Sequence, residues 1–275
     1  MRYQDVAIFS DLDGTLFDCH GKISQKNSDA IHRFTDEGGL FAVSTGRIPE
    51  NMMEQIEGIV WNAPGIVLNG AAIFDPISKS YLHTLFADKN AMSSVVRFAR
   101  SNFPDLDVQV YTESGIYYVS PEETVNRPFW ELHKNSTFVS VEKAEQEPWF
   151  KSLLFGNRHS LDIVTEFIQD NNYSDCFDQV FAATDIIPGV EYLELLPKGV
   201  NKGSGLEYCR SLSCYTNRTM ICIGDYNNDK EMLEHADISV CPKNSHPDIL
   251  RICDVVVPSN NNSALAGLIN RIPVL

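Results

Sequence analysis

Two aspartates one residue apart, Asp11 and Asp13, close an apolar run in "IFSDLDGTLF". Unpaired charge at the mouth of a buried strand is costly, so something positive is expected to meet them. Polar groups recur in the same kind of place further along. Thr45, Gly46 and Arg47 follow "LFAVS", Lys202 stands in "GVNKGSG", and Asp225, Asn228 and Asp229 follow "MICIG". Carboxylates gathered at one point repel each other unless a hard cation joins them, and oxygen-only ligation suits Mg²⁺ better than Zn²⁺. A carboxylate free to attack is a nucleophile that can carry a phosphoryl group as an acyl phosphate. A hydroxyl at Thr45 and an ammonium at Lys202 are what phosphoryl oxygens require in the transition state. Gly14 lets the backbone turn sharply beside them. Each piece alone is weak, since an Asp-x-Asp before a turn commonly serves as loop or cap. Their order, each at the end of a strand-like run, gives the set its weight. "DYNND" also resembles the start of a calcium loop, but Lys230 stands where that loop needs glycine and Ala236 where it needs an acid.

The elements that must position these residues read as α/β. "VAIFSDL" is a near-continuous apolar run of the kind expected of a strand buried on both faces of a parallel sheet. Ser24 is placed to cap a helix from about Gln25 to Glu37 with Ile31 and Phe34 inward, ended by Gly38-Gly39. "LFAVST" reads as a second strand, "PENMMEQIEGI" as a helix opened by Pro49, and "GIVLNGAAIF" as a third strand running into a hairpin-like stretch through "SKSYLHTLF". Near residue 84 the texture changes to hairpins alternating with helices, which indicates an antiparallel α+β insertion. Its pieces are a helix in "NAMSSVVRFARSNF", the hairpin "DVQVYTESGIYYVS", "VNRPFWELHK", strands "TFVSVE" and "WFKSLLFG", a helix in "SLDIVTEFIQDN", and "QVFAAT". From "YLELLP" onward βα alternation is expected to return, with helices after Lys202, in "NDKEMLEHA", in "PDILRIC" and after Ser263, and strands "TMICIGD", "ISVC" and "VVVP". In open parallel sheets ligands bind at the C-terminal strand ends near a topological switch point, which is where the candidate residues fall.

Composition narrows the function further. The chain has 275 residues, 43% hydrophobic and 21% charged, enough for one large or two ordinary domains. Its formal net charge of −15, without a Lys/Arg cluster, argues against a general nucleic-acid binder. No basic segment leads into an uncharged apolar stretch at the N-terminus, and no window approaches the ~18 apolar residues of a membrane span. Seven scattered cysteines without a C-x-x-C read as small buried hydrophobes in a reducing compartment, so the expected location is cytoplasmic. The seven histidines show no ligand spacing. Asn-x-Ser/Thr matches at Asn135, Asn217 and Asn261 read as chance.

At DLDGTL, STGR, the lysine and GDYNND the chain resembles a haloacid dehalogenase (HAD) superfamily phosphatase of the Cof-type subfamily with a type-IIB cap. "VLNGAAIFD" (residues 67–75) and "EYLELLPKGVNKG" (residues 191–203) extend the likeness over essentially the whole length. The resemblance implies a Rossmann-like parallel core over residues 1–83 and 190–275, with an inserted α+β cap over 84–189. It implies that Asp11 is the nucleophile and that Asp13 is the acid toward the leaving alkoxide and then the base toward water. Mg²⁺ would be held by Asp11, the Asp13 carbonyl and Asp225, with Asp229 close by or acting through water. Thr45 and Lys202 would hold the phosphoryl oxygens, helped by Asn228 and the backbone amides of Leu12 and Gly14. An acid two residues after the nucleophile is what a phosphatase needs and a dehalogenase lacks, because a halide leaves without a proton. One departure is Tyr226, where many relatives have glycine; it is placed to crowd the entrance.

Other residues stay open. Arg47 either reaches substrate or pairs with an acid of the core, and Gly46 and Asn69 are further candidates for substrate contact. Asn69-Gly70 is expected to shape a turn near the site. Phe129 and Trp130, with Tyr117 and Tyr118, are expected to form the insertion's own core. The leading expectation is a Mg²⁺-dependent hydrolase of small phosphorylated metabolites, sugar phosphates or similar, monomeric or weakly homo-oligomeric. A sugar phosphomutase or phosphotransferase would use the same Asp-x-Asp pair. A phospho-accepting signalling module also gathers Asp, Thr and Lys around Mg²⁺, but it would carry its accepting Asp on another strand and has no counterpart to the insertion.

Overall fold

Val6–Ser10 forms strand β1, and all five residues are buried, as a strand covered on both faces requires. The computed structural model describes residues 1–120, 136–183 and 189–274. By Cα proximity the chain divides into two compact units, Met1–His83 with Asn201–Leu275, and Thr84–Val200.

In the first unit β1 lies between β2 (Leu40–Val43) and β12 (Thr219–Ile223), followed outward by β13 (Ile238–Pro242) and β14 (Val255–Val257). All four pairings are parallel. The chain leaves β1 toward β2 on one side and returns to β12 on the other, so the crevice at the C-terminal ends of β1 and β12 is the switch point. Helix Gln25–Asp36 forms where expected: Ser24 accepts the Asn27 N–H at 3.2 Å, and Ile31 and Phe34 are buried. That helix packs on helix Ala264–Ile269, and helix Lys202–Arg210 packs on helix Lys230–His235.

Three expectations are corrected here. "GIVLNGAAIF" is two strands, β3 (Gly65–Val67) and β4 (Ala72–Asp75), paired antiparallel around a turn at Leu68–Gly70. Leu68 and Asn69 both have φ of 55° and Gly70 has φ of 101°, so the Asn-Gly dipeptide reverses the chain. β5 (Ser80–Thr84) adds to the same sheet. "PENMMEQIEGI" yields a short turn at Pro49–Asn51 and further single turns, because its hydrogen bonds alternate between three- and four-residue spacings and never build a continuous ladder. "YLELLP" does not resume the parallel alternation: β11 (Glu191–Pro197) pairs antiparallel with β9 (Lys151–Gly156) and β10 (Phe177–Ala183).

The second unit is a six-stranded sheet in the order β10-β11-β9-β6-β7-β8, with β6 at Asp107–Thr112, β7 at Gly115–Tyr118 and β8 at Thr137–Phe138. Val108, Val110, Leu154, Leu193 and Leu195 pack against helices Lys89–Asn102 and Arg158–Asp170 in one apolar cluster. "TFVSVE" holds only the two residues of β8 as strand. Ser140 then caps a helical turn, Val141–Ala144, by accepting the Lys143 N–H at 3.2 Å. Tyr118 is fully buried and its ring lies 5.3 Å from that of Phe138, while Tyr117 donates to Glu147 at 2.7 Å. Phe129, Trp130, the rest of "VNRPFWELHK" and Thr184 lie outside the described residues.

A side chain at Gly70 would meet the carbonyl of Asn201, the residue that caps helix Lys202–Arg210. Gly70→Ala adds that clash to a backbone conformation L-residues rarely adopt. It is expected to lower unfolding free energy by about 2 kcal/mol in urea titration, whereas a loss below about 0.5 kcal/mol would show that the turn and the cap are not tightly joined.

Candidate active site

The loop after β1 is closed by a hydrogen bond from Phe17 N–H to Leu12 C=O at 2.8 Å, five residues back. Gly14, at φ 81°, makes that loop possible, and a Cβ there would collide with the Asp225 carboxylate. Asp11, one residue past β1, is tied to β12 by its N–H to Ile223 C=O at 2.9 Å. The two strand ends therefore present Asp11 and Asp225 side by side.

Asn201 prepares the third part. Its side chain accepts the Ser204 N–H at 2.9 Å and Ser204 returns a bond to its backbone, a reciprocal cap that starts the helix at Lys202. From this first helical position the Lys202 ammonium donates to Asp11 Oδ1 and to Asp229 Oδ1, each at 2.6 Å. Lys202 and Asp229 are 0% exposed and Asp11 is 7% exposed. Asp229 spends its other oxygen on the N–H groups of Asp225 (2.9 Å) and Tyr226 (3.1 Å), so it fixes the "GDYNND" loop as well as the lysine. Thr15 donates to Asp225 Oδ1 at 2.8 Å.

Oxygens of Asp11, Asp225 and Asp229 all lie within 4.8 Å of one another, and this all-oxygen donor set, buried at Asp11 and Asp229 and half-buried at Asp225, fits a hard divalent cation. Burial raises the Asp11 carboxyl well above its ordinary value, with Lys202 opposing and Asp229 and Asp225 adding to the rise. Burial likewise raises Asp225 to about 6, against the hydrogen bond from Thr15. For Lys202 burial opposes the charge, and the attraction of Asp11 and Asp229 overcomes it, so the ammonium is held above its usual range.

The remaining candidates flank this cluster. Thr45 is buried, its hydroxyl accepts the Arg47 N–H at 3.2 Å, and its carbonyl accepts the Asn69 N–H at 3.0 Å. A Cβ at Gly46 would lie 3.0 Å from the Asn69 amide, and Asn228 reaches Asn69 Oδ1 at 3.5 Å. Leu12, within the loop after β1, is buried. Asp13 differs from the other acids: its carboxylate is 60% exposed and pairs with Arg47 at 2.7 Å. Between the two roles left open for Arg47, the structure shows the pairing with an acid. Tyr226 is exposed, with its ring edge-on to His246 at 5.5 Å. Three neighbours escaped the sequence reading. Thr15 was in view within the DLDGT run, but Asn244, which donates to Gly14 C=O at 2.8 Å, and Gln55, which accepts from Arg47 at 2.7 Å, carry no local signal.

The switch point of a parallel sheet, where this acidic cluster lies, is where α/β enzymes hold their ligands. The family model for haloacid dehalogenase-like hydrolases matches residues 8–269. This chain belongs to that family and is a hydrolase by membership. It is 26% identical to the phosphatase YwpJ of Bacillus subtilis over 284 residues, covering 95% of this chain and 98% of that one. It is 23% identical to the B. subtilis 5-amino-6-(5-phospho-D-ribitylamino)uracil phosphatase YitU, covering 97% of each. Among solved structures it is similar to a haloacid dehalogenase-like hydrolase from Bacteroides thetaiotaomicron, with TM-score 0.82 at 20% identity over 97% of this chain and 99% of that one. It is also similar to a HAD subclass IIB sugar phosphatase, with TM-score 0.75 at 20% identity over 98% and 100%. Among the described residues no helix is long and apolar enough to cross a membrane.

The raised Asp225 value sets a pH dependence. Its carboxyl contributes most to stability when protonated; the contribution is complete below the ordinary 3.8 and is lost as pH rises through about 6. A divalent cation held by the ionised cluster would offset that loss. Excess Mg²⁺ is therefore expected to raise the Tm more at about pH 7.5 than at about pH 5, and equal shifts at both would contradict the geometry.

Proposed function

We propose that this chain is a Mg²⁺-dependent phosphatase that hydrolyses small phosphomonoesters, sugar or polyol phosphates foremost, through an aspartyl-phosphate on Asp11. The carrying observation is the charge balance at the strand ends. Three carboxylates meet one buried ammonium, leaving two negative charges for a divalent ion to neutralise. Asp11, Asp225 and Asp229, with the Asp13 backbone carbonyl, are the groups that would hold Mg²⁺. Bound there, the ion supplies Lewis-acid neutralisation of phosphoryl charge.

The chain's own residues do the rest. The Asp11 carboxylate attacks phosphorus while the bond to the leaving alkoxide breaks, and Asp13 gives that oxygen a proton. Water then attacks the acyl phosphate, Asp13 takes its proton, and inorganic phosphate leaves with Asp11 restored. Lys202, the Thr45 hydroxyl, Asn228 and the Leu12 and Gly14 amides stabilise the phosphoryl oxygens. The insertion, residues 84–189 in the expected partition, acts as the cap that chooses the leaving group. The names of relatives support this range: one is a ribitylaminouracil phosphate phosphatase and one a sugar phosphatase.

With Mg²⁺ present, Asp11→Asn is expected to lower phosphate release from an aryl phosphate and from a hexose phosphate by at least about a thousandfold while circular dichroism stays native. Near-normal turnover in that variant would reject the nucleophile. Phosphoryl transfer to a second sugar without phosphate release would point to a mutase.

A further inference from the structure

Arg47 makes more contacts to its surroundings than an exposed ion pair needs. Its backbone is fixed at both ends, by its N–H to Thr45 Oγ1 at 3.2 Å and by its carbonyl accepting the Leu68 N–H at 3.1 Å. Its guanidinium lies 5.7 Å from the centre of the Phe17 ring and donates through Nη1 to Gln55 Oε1 at 2.7 Å. The opposite edge of the fork grips Asp13 at both oxygens, Nε to Oδ2 at 2.9 Å and Nη2 to Oδ1 at 2.7 Å.

Stability does not explain this arrangement. With side chains 31% and 60% exposed, such a pair is worth at most about 1 kcal/mol. Orientation does. Asp13 sits on the tight loop beside the Asp11 nucleophile, and an exposed carboxylate there would otherwise exchange freely among rotamers. A planar two-point fork, itself braced by a ring and an amide, fixes both the position and the plane of the carboxylate. Proton transfer demands such a fixed plane, since a donor displaced by a fraction of an ångström loses much of its effect.

We infer that Arg47, braced by Gln55 and Phe17, is the positioning residue for Asp13. Arg47 acts through that carboxylate and leaves the phosphoryl group to Lys202 and Thr45. The inference rests on Asp13 being the acid in the proposed reaction, and it adds a residue pair that makes the proton delivery efficient.

Leaving-group dependence of kcat/KM separates the roles, because this constant reports only steps up to aspartyl-phosphate formation. A hexose phosphate needs a proton on its departing oxygen; dinitrophenyl phosphate does not. Arg47→Gln is expected to lower kcat/KM for the hexose phosphate at least about tenfold more than for dinitrophenyl phosphate, a part of the usual acid contribution. Arg47→Lys, which cannot form the fork, should recover only part of that ratio. Gln55→Leu, which alters the brace alone, should shift it in the same direction by less. Equal losses on both substrates, with KM raised alike, would make Arg47 a phosphate ligand and overturn the inference, as would no loss on either. Asp13→Asn run beside them locates a failure. If Asp13→Asn discriminates between the substrates and Arg47→Gln does not, only the positioning role falls. If Asp13→Asn does not discriminate, the acid assignment falls and takes this inference with it.

Discussion

The Lys202 ammonium, without solvent exposure and 2.6 Å from carboxylates on two different loops, is the interaction on which the rest of this structure depends. A buried ammonium is tolerable only if its partners are close and well oriented, and each partner here is held by something else. Asp11 is tied to β12 through its backbone, and Asp229 is fastened by two N–H groups of its own loop. Asn201 starts the helix that delivers the lysine, and the Leu68–Gly70 turn packs on the Asn201 carbonyl. Four segments far apart in sequence thus meet at one charge. Because Asp225 joins the same group, three carboxylates face one ammonium, and among the described residues the site keeps a surplus of negative charge. That surplus is the physical reason to expect a cation there.

Much of this was legible in the sequence because it depends on local order. A run such as "VAIFSDL" cannot be half-exposed, so it must be a central strand, and residues just past such strands must collect at one edge of a parallel sheet. Asp11, Thr45, Asp225 and Asp229 all follow from that argument. Lys202 was legible too, although the strand before it turned out to belong to the other unit's antiparallel sheet. The position survives that error because what places the lysine is the Asn201 cap.

The illegible parts share a cause: they are contacts between segments with no sequence relation. Nothing near Gln55 or Asn244 marks them as neighbours of the DLDGT loop, and the fate of Arg47 depended on which acid lay within reach. The hairpin inside "GIVLNGAAIF" was hidden by apolar residues continuing through the reversal, with only Asn69-Gly70 to betray it. "TFVSVE" misled because Val and Phe favour strands while Ser140 was placed to cap a helical turn.

The coupling between Lys202 and Asp229 bears most directly on the whole arrangement, and a double-mutant cycle of unfolding free energies in cation-free buffer at neutral pH measures it. Lys202→Met, Asp229→Asn and the double variant should give a coupling of about 2 kcal/mol, since removing either partner strands the other's buried charge. A coupling within about 0.3 kcal/mol of zero would mean the ammonium does not organise the site.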